Sequence, residues 1–361
     1  MSKRTLILII TGIALLISLF FIVPMVNVYF KGKKTSINNR EVEITVKKNT
    51  NLSALADQLS DAKIIDDKEA FIAVGEYKAL NEEKIAAGKY LIKPNTSFKN
   101  MLNGFTKNSQ GNGNAEVEVE VTFNNCTSIE DICGKVAKCI DLDSASLNKY
   151  IRNPKNWQKW GIEMTYEQLP SIFIPNTYKM FYDTNEDLFV NRMVSEYKEF
   201  WTSDRKSKLT SIGLKTPTDA VTLASIVYSE QSVNSDEWPI IAGLYLNRIK
   251  QGIKLQSDPT FKFCWGDKLK GVERLLNKHR AIDCAYNTYK INGLPPGPIC
   301  LPSPKVVDAV LNRADVDFIY MCAKPDYSGR HNFAVSGMEH AKNADDFQKW
   351  LAAELRKKNG R

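Results

Sequence analysis

The chain has 361 residues, with 49 Lys plus Arg against 41 Asp plus Glu and a formal charge of +8. That length exceeds one ordinary core and suits two or three domains. A composition of 43% hydrophobic and 25% charged residues excludes a disordered polymer. The basic excess is spread along the chain rather than gathered in a stripe interleaved with aromatics. It fits work near an anionic wall or membrane and argues against nucleic acid as a partner.

From Thr5 to Phe30 no residue is charged. At ~1.5 Å per residue this run can cross a ~30 Å hydrocarbon core. Residues 1–35 are therefore expected to form a short tip and a transmembrane anchor spanning 5–30. A cleaved signal peptide fits less well, because the run is long and no small-x-small site ends it. No cysteine follows to carry a lipid. Lys3 and Arg4 precede the run and Lys31, Lys33 and Lys34 follow it, so charge leaves the orientation open.

The next segment, 41–108, reads as a small α+β module. Glu41 to Val46 alternates like an edge strand. Asn51 can cap a helix carrying Leu52, Leu55, Ala56 and Leu59, and a second helix is expected from Lys68 to Leu80. Gly88 to Ile92 reads as a strand ended by Pro94, which makes the order β-α-α-β. The same opening recurs 77 positions later, with Ile44/Val121, Val46/Phe123, Leu52/Ile129, Leu55/Ile132 and Leu59/Val136 as matched apolar positions. This pattern suggests two copies of one strand-helix unit, joined by a turn or linker at 109–114.

Residues 116–210 hold the second unit and an aromatic-rich connecting region, and 211–361 is expected to be a separate, mainly helical domain. Helical patterns dominate from Leu188 to Lys250. A strand pair is expected at 318–321 and 331–335 around the turn at 325–329. A last helix is expected at 344–356, capped by Asn343, with Leu351 and Leu355 inward. The fold class is thus α+β throughout. The seven cysteines form no CxxC pair and no zinc pattern. Free buried thiols are the favoured reading, and a disulfide stays open without an assigned partner.

The most informative stretch runs from Thr216 to Gly252. Thr216 can cap a helix with Pro217 at its first position and Asp219 in the first turn. Ala220, Leu223, Ala224 and Val227 then form one apolar stripe, and Glu230 falls at its margin. No Lys or Arg stands at three or four residues from Glu230. A carboxyl beside apolar groups is poorly solvated, and the helix C-terminus disfavours its charge. Both effects favour a protonated acid at neutral pH, as a general acid requires. The simpler alternative is a solvated rim residue. After Gly252, a plausible helix stop, come a polar loop at 255–260, then Ala285 to Tyr289 and the rigid Pro/Gly run Gly293 to Pro298. Tyrosines and amides there suit sugar rings, whose faces stack and whose edges hydrogen-bond.

Leu223 to Glu230, Asn247-Arg248-Ile249, Gly252 and Leu255-Gln256-Ser257-Asp258-Pro259-Thr260, in this order and spacing, resemble the endolytic murein transglycosylases with a YceG-like domain. Ala285 to Tyr289, Gly293 to Ile299 and the set His331, Phe333, Glu339 and His340 extend the resemblance to the C-terminus. It implies a single-pass protein of the cell inner membrane with its catalytic part in the periplasm and a LysM-like module at 41–105. The implied reaction is cleavage of the MurNAc–GlcNAc bond inside nascent glycan strands, without water, leaving 1,6-anhydro-MurNAc ends and terminating elongation. Peptidoglycan strands are the implied substrate, and peptidoglycan synthases are candidate partners. The family's catalytic glutamate falls on Glu230. The chain departs from the family at Pro170-Ser171, Asn176 and Tyr228, which leaves residues 170–178 to structure or groove lining.

In the expected mechanism Glu230 protonates the glycosidic oxygen and then, as a carboxylate, takes the proton of the attacking C6 hydroxyl. A two-carboxyl glycosidase would need a partner, for which Asp258 and Glu339 are the candidates. Gln256, Asp258, Tyr286, Asn287 and His331 are expected to position substrate, each against a structural alternative. Glu339 and His340 either orient groups near the site or cap the last helix. Three histidines without HExxH spacing and no phosphate loop predict no metal and no cofactor. The alternatives are a water-using muramidase and a non-catalytic peptidoglycan-binding scaffold.

Overall fold

A computed structural model describes residues 3–106, 115–269, 272 and 276–359. Helix α1 (Lys3–Lys33) runs through the charge-free segment. Among the described residues no helix is long and apolar enough to cross a membrane. The side chains of residues 6–8, 14–16 and 19 in α1 lie outside that set.

Strand β1 (Val42–Val46) leads to α2 (Leu52–Asp61), whose first turn is closed by the Asn51 side chain accepting from the Ala54 N–H at 2.8 Å. Helix α3 (Lys68–Tyr77) is capped likewise by Asp67, and β2 (Gly88–Ile92) pairs antiparallel with β1, Ile44 opposite Tyr90. The expected β-α-α-β order is therefore present. Helix α4 (Phe98–Gly104) and the short β3 (Ala115–Glu116) complete this part, β3 extending the sheet on the free edge of β2. Leu55, Leu59, Phe71, Ile92, Phe98 and Phe105 are fully buried in one core. Phe71 and Phe98 meet edge to face at 5.5 Å. The turn expected at 109–114 lies outside the described residues.

Strand β4 (Val119–Phe123), α5 (Ile129–Val136) and α6 (Ser144–Arg152) follow, then α7 (Pro154–Trp160), a 3-10 helix at Tyr166–Ile172 and β5 (Asn176–Met180). Strands β4 and β5 pair, so a second β-α-α-β order is present with an insertion before its last strand. All ten residues matched between the two copies are buried. That burial is the physical content of the recurrence: each copy hides the same strand and helix faces.

The remaining helices are α8 (Glu186–Phe200), α9 (Ser203–Ser211), α10 (Pro217–Glu230), α11 (Trp238–Lys250), α12 (Asp258–Trp265), α13 (Asn277–Arg280) and α14 (Pro304–Leu311). Strands β6 (Tyr320–Ala323) and β7 (His331–Ala334) form an antiparallel hairpin before α15 (Gly337–Asn359). By its packing the chain divides into two units, one of residues 1–121, 137–143 and 178–185, the other of 122–136, 144–177 and 186–361. The region expected at 116–210 is thus shared between the units.

Three expectations are corrected here. The last helix starts at Gly337, so Asn343 lies inside it. Ser336 accepts from the Glu339 N–H while Glu339 accepts from the Val335 N–H, each at 3.2 Å, and these close its first turn. Leu355 faces outward rather than inward. The segment 255–260 is only half loop, because Asp258 opens α12 with Pro259 in the first turn, where a missing N–H costs nothing.

Candidate active site

Glu230 is the last residue of α10. The helix begins with the predicted Thr216 cap, which Asp219 completes as a capping box, and buries Ala220, Leu223, Ala224, Ile226 and Val227 completely. The next residue, Gln231, ends the helix and is itself buried. Its side-chain carbonyl accepts from the Val233 and Asn234 N–H groups, and its amide donates to Glu237 at 2.9 Å. The Trp238 indole N–H donates to the Gln231 carbonyl at 2.7 Å. The carboxyl at 230 thus projects from a fixed helix end.

Two neighbouring helices supply its partners. From α11, the Tyr245 hydroxyl donates to Glu230 Oε1 at 2.7 Å. At the entrance to α12, the Ser257 hydroxyl donates to the same oxygen at 2.5 Å. Burial pushes the Glu230 pKa above the ordinary carboxylate value, and the negative charge of Asp258 adds to this. The hydroxyls of Ser257 and Tyr245 and the His331 ring pull the other way without cancelling it. Tyr245, buried and facing Glu230, has its own pKa raised far above the usual phenol, so it stays a donor.

Glu230 opens onto a cleft of about 590 Å³, walled by Tyr245, Arg248, Gln256 and Asp258 on one side and by β6 and α15 on the other. Arg248 knits the near wall. Its guanidinium donates to the Lys254 carbonyl at 2.7 Å, to Gln256 Oε1 at 2.7 Å and to the Ile319 carbonyl at 2.6 Å. Gln256 holds a left-handed backbone with φ 53°, which is costly for a non-glycine residue and is fixed here by its N–H donating to the Thr288 carbonyl at 3.2 Å. Gly252, expected as the helix stop, is also left-handed at φ 67°.

The other expected residues separate clearly. Asp258 lines the cleft, accepts from the Tyr289 hydroxyl at 2.5 Å and pairs with Arg280 at 3.3 Å. Asn287 does not reach the cleft. It is fully buried, donates to the Arg280 and Ile282 carbonyls and accepts from the Tyr289 N–H, so it holds its loop together. Tyr286 is also absent from the cleft wall; it packs on Phe263 at 4.7 Å between ring centroids, and burial raises its pKa to about 12. His331 lies beside the site without lining it, its ring 2.9 Å from buried Glu237. His340 does line the cleft, stacked on Tyr320 at 5.0 Å. Pro170, Ser171, Asn176 and Tyr228 are not among the lining residues.

Sequence reasoning missed Tyr245, Glu237 and Arg280, and reached Tyr289 only as part of the Ala285–Tyr289 motif. Tyr245 sits seven residues after Trp238, on a helix whose pattern reads simply as core. Glu237 looks like an ordinary acidic residue at a helix start. Burial pushes its pKa up, but the His331 N–H, the His331 ring and the Gln231 amide outweigh this, and the net shift is downward. Glu237 is thereby an anion that orients His331. The favoured reading of free thiols is corrected at one pair: Cys264 of α12 is disulfide-bonded to Cys284. Cys126, Cys133, Cys300 and Cys322 are free thiols. Among the described residues no three His, Cys, Asp or Glu side chains are grouped to hold a metal.

Residues 44–346 match the model of the YceG-like family. The chain belongs to that family. An endolytic murein transglycosylase of Bacillus subtilis is 24% identical over 88% of this chain and 86% of its own length. A protein of the same description from Streptococcus pneumoniae is 21% identical over 85% of this chain, which spans only 58% of that relative. A solved structure of a yceG-like protein from Listeria monocytogenes shares the fold with a TM-score of 0.53 and 21% identity, covering 84% of this chain and 99% of that one.

Proposed function

We propose that this YceG-like chain is an endolytic peptidoglycan lytic transglycosylase with Glu230 as its single catalytic acid and base. The observation that carries the proposal is the arrangement of Glu230. A poorly solvated carboxyl faces a cleft, and both hydroxyl donors are on one of its oxygens. With Oε1 occupied by two donors, the neutral acid carries its proton on Oε2. That proton goes to the glycosidic oxygen as the C1–O bond breaks and its electron pair leaves with the departing sugar. The Tyr245 and Ser257 bonds strengthen as the carboxylate forms, which is the requirement for transition-state stabilisation. The bare Oε2 then takes the proton of the C6 hydroxyl as its oxygen bonds to C1. The ring closes to the 1,6-anhydro product, and no water is consumed.

A water-using muramidase would need a second free carboxylate. Asp258 is the nearest candidate in the cleft wall, but Tyr289 and Arg280 already occupy its oxygens. Gln256 and Asp258 remain the substrate-positioning residues of this reading, with His331 acting through its place beside Glu230. Helix α1 is 31 residues long and carries no charge from Thr5 to Phe30. It is read as a single-pass anchor in the inner membrane, with the catalytic part in the periplasm. The module at 41–105, whose β-α-α-β order pairs β1 with β2, is read as LysM-like and as a glycan contact beside the synthases.

The test is mass spectrometry of products from purified peptidoglycan digested by the detergent-solubilised chain and by its Glu230→Gln variant. Anhydro-muramyl ends from the wild type alone support the proposal. Reducing ends would replace it with the muramidase, and sacculus binding without product would replace it with the scaffold.

A further inference from the structure

We propose that a second cleft, in the membrane-proximal unit, binds the headgroup of an anionic phospholipid; this inference rests on reading α1 as the membrane anchor. The cleft has a volume of about 470 Å³ and lies among the last turns of α1, the end of α3 and the start of α4. Its buried lining comes from Gly32 and Val74, with half-buried Val28 and Ser97 beside them. Met25, Tyr29 and Tyr77 are exposed around it, at 58, 58 and 59%. Lys33 at the end of α1, Lys78 just past α3 and Lys99 in α4 supply three ammonium groups, and no carboxylate is among the lining residues.

Close packing brings those helices together. A Cβ at Gly32 would lie 3.5 Å from Lys99 Cβ and 3.7 Å from Val74 Cγ1, so α1 meets α3 and α4 without an intervening side chain. Asp67, just before α3, is paired with Lys34. Lys33 rests over the Tyr29 ring at 4.6 Å. Among the described residues none of Lys33, Lys78 and Lys99 takes part in an ion pair.

The occupant must therefore satisfy an apolar floor and three cations together. A phosphodiester on acyl chains does so, whereas a free sugar carries no charge to meet the lysines. Its placement agrees, because the cleft straddles the C-terminal end of the uncharged run, from Met25 to Lys33 of α1, where an anchor would leave the hydrocarbon. Tyrosines with one apolar and one wet end belong at that depth. Near an anionic leaflet each lysine strengthens association about fivefold.

The test is native mass spectrometry of the full chain released from nanodiscs of equal phosphatidylglycerol and phosphatidylcholine. The wild type is expected to retain phosphatidylglycerol preferentially. The Lys33→Ala/Lys78→Ala/Lys99→Ala variant is expected to fall to parity. Lys78→Glu alone, at a half-exposed position, should lose most of the preference with unchanged melting, which guards against a folding defect in the triple variant. Parity in the wild type, or preference kept in both variants, overturns the inference. Displacement of the lipid by excess glycerol phosphate would also overturn it, by assigning the site to a soluble anion. Stripping of the wild type from membranes by alkaline carbonate would sink the anchor reading itself, whereas stable insertion without lipid preference sinks only the headgroup site.

Discussion

Replacing Tyr245 by Phe removes one of the two hydroxyls held on Glu230 and leaves the buried ring in place. A hydrogen bond to a charged acceptor contributes about 1.5–3 kcal/mol. The bond matters most when Glu230 becomes an anion, so its loss should lower kcat by about 10- to 150-fold. The pH profile supplies a second, independent readout. The Tyr245 bond pulls the Glu230 pKa down against burial, so removing it lets that pKa rise further. A general acid works only when protonated, and activity is lost as pH rises through its pKa. The alkaline limb of Tyr245→Phe should therefore move to higher pH while the plateau falls. Initial rates of anhydro-muramyl release across pH would measure both, with Ser257→Ala as the parallel variant. An unchanged plateau, or a limb that moves to lower pH, would refute the assignment of Tyr245 and Ser257 as stabilisers of the Glu230 anion.

Glu230→Gln should abolish cleavage yet raise stability at alkaline pH. The folded pKa of Glu230 lies above its ordinary value of 4.5, so its contribution is fully present below that value and is lost as pH rises through the folded pKa. Melting curves should show the variant ahead of the wild type at about pH 8 and level with it at about pH 4. Asn287 is itself fully buried, so Asn287→Ala strands three backbone groups of its loop, and urea titration should give a loss of about 3 kcal/mol. An effect confined to KM with normal stability would instead make Asn287 a substrate contact. Reducing the Cys264–Cys284 bond, which closes a separation of 20 residues, should cost about 3 kcal/mol by chain entropy. Cys264→Ser should reproduce the loss, and Cys300→Ser should not.

The elements most legible in the sequence were those with local chemistry. Asn51 and the Thr216–Asp219 box fall where their side chains can satisfy helix N–H groups, and the structure uses them so. The paired apolar positions of the two strand-helix copies read correctly because burial follows period two and period 3.6 directly. The last helix was misplaced through a competing local signal. Asn343 is a good cap in isolation, but Ser336 and Glu339 stand at capping-box spacing seven residues earlier. The site was legible only in part. Glu230 stood out because its own helix gives it no partner. Tyr245 and Ser257 come from other elements, and no local pattern announces a contact made only in the fold. Asn287 misled for the converse reason, since an amide in a loop looks available until three backbone groups claim it.

A single carboxyl that serves first as acid and then as base needs surroundings that tolerate both of its charge states. Burial alone would favour the neutral acid and oppose the carboxylate that must follow. Two hydroxyls on a carboxyl in water would hold it ionised and unfit to protonate a leaving group. Here burial outweighs the hydroxyls in the resting state, because the pKa remains raised despite them. The hydroxyls still meet the charge when it forms, since both are already aimed at Oε1 and need not reorganise. Among the described residues no donor reaches Oε2, which leaves it open for both proton transfers. A site built for water activation would gain nothing from that arrangement, because its base would be a second carboxylate across the sugar. On this proposal, the one-sided clasp on Glu230 ties the raised pKa and the anhydro product to one cause.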